Sequence, residues 1–150
     1  MLFNSPQPHT PVFLNSLPYK RNELNQSKHD RIIQKIADDF ARQGFIVYAD
    51  HIKWSMGRPP LFNGHRPDLT IQGQNGRVIV EVETFDSCLE SHAISQLRAF
   101  NRVGIPVIVV IPEVIHTILG ANNGLTKFNA LNNRINTSKL YNVKVDTIKI

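Results

Sequence analysis

The sequence predicts a mixed α/β domain, and three observations carry that reading. Residues 68–72 and 77–85 alternate in character on either side of the turn signal Gly73-Gln74-Asn75-Gly76, as the arms of a β-hairpin do. Residues 27–43 repeat apolar positions with a helical period, through Ile32, Ile33, Ile36, Ala37 and Phe40. Residues 105–111, IPVIVVI, form a short continuous apolar run of the kind found in strands buried on both faces.

Taken in order, residues 1–26 read as an extended arm, because Pro6, Pro8, Pro11 and Pro18 prevent regular structure while Val12, Phe13, Leu14 and Tyr19 offer packing groups. Lys20 and Arg21 read either as phosphate contacts or as ordinary solvated charges. Residues 27–150 form one domain. Its first helix opens on Ser27-x-x-Asp30, a capping-box-like start, and stops at Gly44. Residues 45–49, FIVYA, are the first strand. A long connection over 50–66 then carries Lys53, Arg58, His65 and Arg66 beside Trp54 and Phe62. That mixture suits contact with a nucleic-acid backbone and base stacking; equally, the two aromatic rings can cap the sheet.

After the hairpin, Ser87-x-x-Glu90 marks a second helix reaching about Val103, with Leu89, Ala93, Leu97 and Phe100 on its buried side. His92 and Gln96 share one edge of it, as do Arg98 and Arg102, four residues apart in each case. The two arginines read as a phosphate-facing pair or as cations favoured near a helix C-terminus. Pro112 is read as opening a short helix to Gly120, residues 121–138 as a further helix, and 141–150 as a terminal strand.

The strongest chemical signal lies in the hairpin. Period-2 alternation puts Val78, Val80 and Val82 on one face of its second arm and Ile79, Glu81 and Glu83 on the other, and the pairing of the arms can bring Asp68 to the same face. Three adjacent carboxylates repel and are costly to desolvate unless a cation neutralises them, and hard oxygen donors suit Mg²⁺ or Mn²⁺. The alternative is a solvated polar strand face.

Pro67-Asp68, followed by Glu81-Val82-Glu83 thirteen positions after the aspartate, resembles the PD-(D/E)xK nuclease superfamily, over roughly residues 27–111. The resemblance implies a restriction endonuclease-like core of a helix, a three-stranded meander, a second helix and a fourth strand, with residues 112–150 as an extension. It implies metal-dependent hydrolysis of phosphodiester bonds, most simply in DNA, with Asp68, Glu81 and Glu83 at the metal. The family's third motif residue is usually Lys; here it is Glu83, as in some restriction enzymes. Members often carry a Glu on the first helix, where His29 is the residue of this chain best placed to face the site. By the same resemblance His92 would bind a phosphate oxygen and Gln96 would orient water or substrate. Cutting both strands of a duplex implies a symmetric homodimer.

Composition is compatible with this. The 150 residues carry a net charge of +5, six histidines and a pI of about 9.6, which suits a polyanionic partner. One cysteine, Cys88, excludes an internal disulfide and a cysteine zinc site. No run approaches the roughly 18 apolar residues of a membrane span, and no signal-peptide pattern opens the chain, so a soluble, cytoplasmic protein is expected. A module that binds nucleic acid without cutting it, and a structural domain with an incidental acidic patch, are the competing readings.

Overall fold

The computed structural model describes residues 21–84, 87–113 and 123–149. They form a five-stranded sheet and three helices in the order α1 (Glu23–Arg42), β1 (Ile46–Ala49), β2 (Leu69–Gly73), β3 (Gly76–Val82), α2 (Ser91–Asn101), β4 (Val107–Pro112), α3 (Asn123–Thr137) and β5 (Val143–Ile148). The arm over 1–20 and the short helix expected over 112–120 lie outside these residues, apart from Pro112 and Glu113.

The first helix begins one turn earlier than Ser27. Asn22 is its cap, the side-chain oxygen accepting from the Asn25 N–H at 2.8 Å, and Glu23 sits in the first turn. Asn is as strong a cap as Ser, and a competent cap upstream leaves Ser27 exposed inside the helix. The C-terminus is as expected: Gly44, at φ 92, donates to the Ala41 carbonyl in the left-handed conformation that glycine adopts without strain.

The strands lie in the order β1-β2-β3-β4-β5. The first three form an antiparallel meander, and β4 and β5 run parallel to β3. Gly73 and Gly76 pair across the two-residue turn Gln74-Asn75, as the sequence predicts. The register opposes Leu69 to Val80 and Ile71 to Val78 on one face, and Thr70 to Ile79 on the other. The first face packs on Ile32, Ile33, Ile36 and Ala37 of α1. On the second, Ile94, Leu97 and Phe100 of α2 and Leu131 and Ile135 of α3 cover Ile79, Val107, Val109 and Ile111.

Two sequence readings change here. Pro112 ends β4 instead of opening a helix, opposite Ile148 of β5; beyond the last β3 partner, Val110, a residue with no N–H is tolerated. The α2 helix starts at Ser91, with Glu90 in the cap position making no side-chain capping bond; the hydroxyl of Ser87, expected as the cap, donates to Glu83 instead. The C-terminal helix and strand complete the sheet.

Each fully buried isoleucine contributes about 1.5–3 kcal/mol, so the three buried on α1 outweigh its cap. Losing the cap should fray the first turn without undocking the helix. We therefore expect Asn22→Ala to lower stability by about 1 kcal/mol in urea unfolding, and Ser27→Ala to change it by less than about 0.5 kcal/mol. The reverse order of effects would return the helix start to Ser27.

Candidate functional site

Pairing of Ala49 with Leu69, and of the Asp50 N–H with the Asp68 carbonyl at 2.8 Å, brings the end of β1 and the start of β2 together. Glu81 and Glu83 lie at the end of β3, two strands away from β1. Asp68, Glu81 and Glu83 are 5%, 3% and 4% exposed, so the polar face is not solvated. This burial separates the site from an ordinary strand edge.

Asp68 is the most heavily engaged. Its carboxylate accepts from the Val82 N–H at 2.8 Å and meets His29 Nε2 at 3.2 Å and His51 Nε2 at 3.3 Å. Burial alone would raise its pKa, but the bonds from His29 and His51 outweigh that and hold it well below the usual carboxylate range. His29 is fully buried, with Nδ1 against Asp30 at 3.0 Å. A carboxylate at each ring nitrogen favours the protonated imidazole. Burial opposes that charge, yet Asp68 and Asp30 together raise the pKa.

His51 was not foreseen from the sequence. It has φ 67, in the left-handed region, where the Asp50 side chain accepts from its N–H at 2.9 Å, and its ring stands edge-on to that of His29 at 5.1 Å. A non-glycine residue held in this conformation beside a polar cluster is a mark of functional sites. The hydrogen bond to Asp68 raises its pKa.

Glu81 lies close enough to Asp68 to feel its charge, and accepts from Gln96 Nε2 at 3.2 Å. Burial, and then the charge of Asp68, raise its pKa well above the ordinary value, the two carboxyl groups titrating as a coupled pair. Glu83 faces a different set of partners. The Ser87 hydroxyl donates to it, and Arg21 Nη2 lies 3.2 Å from Oε2 and 3.5 Å from the Val82 carbonyl. Burial pushes its pKa up to about 7, with Ser87 and Arg21 pulling against the rise. Arg21 is thus a site residue, 62 positions from Glu83 in sequence. His92 is half-buried on α2; burial, and then the Arg21 cation, lower its pKa.

The structure therefore brings together Asp68, Glu81, Glu83, His29 and Gln96, with His92 within electrostatic reach of Arg21. The basic residues of the long connection and of α2 stand apart: Lys53, Arg58, His65, Arg98 and Arg102 are exposed. Arg66 donates its guanidinium to the Pro59 carbonyl. Phe62 is buried against Phe100, with ring centroids 6.4 Å apart, and the Trp54 indole N–H donates to the Val47 carbonyl at 2.8 Å. Both rings cap the sheet, and the base-stacking alternative fails for Phe62 on burial alone.

Among the described residues no group of three His, Cys, Asp or Glu side chains is arranged to hold a metal ion. A Mg²⁺-type site does not need three: such ions are held by one or two carboxylates together with water and substrate oxygens. Asp68 and Glu81 supply that pair, two buried carboxyl groups whose mutual repulsion a divalent cation would relieve. The donor set fits a hard divalent cation.

A pH dependence follows. His29, His51, Glu81 and Glu83 all bind protons more tightly in the folded protein, so their contribution is full at low pH and is lost as pH rises through the folded values; Asp68, below pH 4, and the single His92, whose pKa is lowered, act in the opposite sense. The metal-free protein should therefore melt at least about 3 °C lower at pH 8 than at pH 6. A divalent cation competing with these protons should raise Tm more at pH 8 than at pH 6. A flat metal-free profile in differential scanning calorimetry would contradict the assigned shifts.

No protein-family model matches the chain, and no curated protein matches it. Among solved structures it is similar to SfsA of Pyrococcus furiosus, determined in complex with Ca²⁺, at 16% identity and a TM-score of 0.48, over 80% of this chain and 57% of that one. The chain spans somewhat over half the length of that protein, and the identity of the site rests on its own residues.

Proposed function

We propose that the chain is a divalent-metal-dependent nuclease of the PD-(D/E)xK type, hydrolysing phosphodiester bonds in nucleic acid, with DNA the expected substrate. The observation that carries this reading is the buried Asp68–Glu81 pair, with Glu83 beside it, at adjoining strand ends. The order of elements supports it: α1, the β1–β3 meander, α2 and β4 follow one another as the sequence resemblance implies.

Asp68 and Glu81 would hold Mg²⁺ or Mn²⁺, whose chemistry when bound is to withdraw charge from a phosphate oxygen and to acidify a water. The protein's own groups do the rest. His29, His51 and the Val82 N–H fix the orientation of the Asp68 carboxylate. Gln96, reaching across from α2, fixes that of Glu81. Glu83, with a pKa of about 7, is poised to accept a proton from an attacking water near neutral pH, and Ser87 holds its carboxylate in place. Scission of both strands would require two such sites, supplied most simply by a homodimer.

One observation favours the non-catalytic alternative. Asp68 is satisfied by two imidazoles and an amide, so the site stands with protein and proton partners alone. Cleavage decides between the readings. Supercoiled, linear, branched and single-stranded DNA and RNA, each with Mg²⁺ or Mn²⁺, form the panel. Nicking by the wild type is expected, reduced about 10²-fold or more by Asp68→Asn and by Glu81→Gln while Tm stays within a few degrees. Salt-sensitive binding with no cleavage by the wild type would establish the non-catalytic module instead.

A further inference from the structure

Arg21 lies outside the helix, one residue ahead of the Asn22 cap, and its side chain is 14% exposed. Inward, it pairs with Glu83 and the Val82 carbonyl at the end of β3. Outward, it lines an open groove of about 870 Å³ along the start of α1, with Gln26, Arg31 and His51 beside the acids Glu23 and Asp30. Arg21 and His51 are the two residues of the groove that also bond to the buried carboxylates. A guanidinium is permanently charged and offers donors in a planar fork that matches a phosphate.

Resting on the nuclease reading, we propose that this groove is where the nucleic-acid backbone enters, and that Arg21 contacts the phosphate delivered to the carboxylates. Arg21 Nη2 stands 3.2 Å from Glu83, two positions after Glu81 at the same strand end, among the groups that would meet the reacting phosphate. Its pairing with Glu83 holds the side chain at the mouth before substrate arrives.

The test is the salt dependence of binding to a 20-base-pair duplex in EDTA, read by fluorescence anisotropy, with nicking in Mn²⁺ measured in parallel. Arg21→Gln should weaken binding about 10-fold at low salt and flatten the slope of log K against log salt by about 1, the signature of one lost phosphate contact. Arg21→Lys should keep the slope. A purely structural role makes a different forecast: removing both charges, in Arg21→Gln with Glu83→Gln, would restore wild-type binding, because no buried carboxylate is left unpaired. That restoration, or an Arg21→Gln protein that binds as the wild type does, would overturn the proposal. If Arg21→Gln does not fold by circular dichroism, Arg21→Lys and the double variant decide by the same slopes. A wild type that neither binds nor cuts removes the nuclease reading itself, which the variants alone do not do.

Discussion

Asp68 and Glu81 lie side by side with almost no water around them, and a carboxylate so placed is stable only if a proton or a cation offsets its charge. Most of the polar architecture answers that demand. Two imidazoles and an amide surround Asp68 and hold its pKa down; burial and the charge of Asp68 hold that of Glu81 up; Glu83 sits between a guanidinium and a hydroxyl. Take away any one partner and the others titrate differently. The cluster therefore behaves as one unit, and single substitutions within it will be non-additive.

The apolar architecture holds these groups in place. With β3 antiparallel to β2 and parallel to β4, its end receives α1 and the β1 loop from one side and α2 from the other. Gln96 can reach Glu81 because Leu97 and Phe100 anchor α2 on the sheet, and His29 can reach Asp68 because Ile32, Ile33 and Ile36 anchor α1. Removing a buried side chain from either helix should disturb the carboxylates through position, not through charge.

Much of this was legible in the sequence because it is periodic. The hairpin alternation assigned Leu69, Ile71, Val78 and Val80 to one face and Ile79 and Glu81 to the other, and the register agrees. The helical stripes of α1 and α2 were read correctly on their buried sides, except that Leu89 precedes α2 and is half-buried. What escaped was aperiodic. His51 and Arg21 reach the site from a loop and from the stretch before a helix, where no repeat points inward, although the Ala49–Leu69 register would have placed the residues after β1 beside Asp68. The two capping-box signatures misled for a related reason. Hydroxyls bond to whatever donor or acceptor folding brings near, and for Ser87 that was Glu83.

Among the described residues the sheet has two open edges, and they are guarded differently. At one, β1 is only four residues long. At the other, β5 carries the exposed charges Lys144 and Asp146 along a strand whose other neighbour is absent among the described residues. A short edge and a charged edge both discourage another sheet from continuing this one. Extending this sheet by a further strand at either edge is therefore disfavoured, and the strand ends that carry the acidic cluster stay separate from those edges.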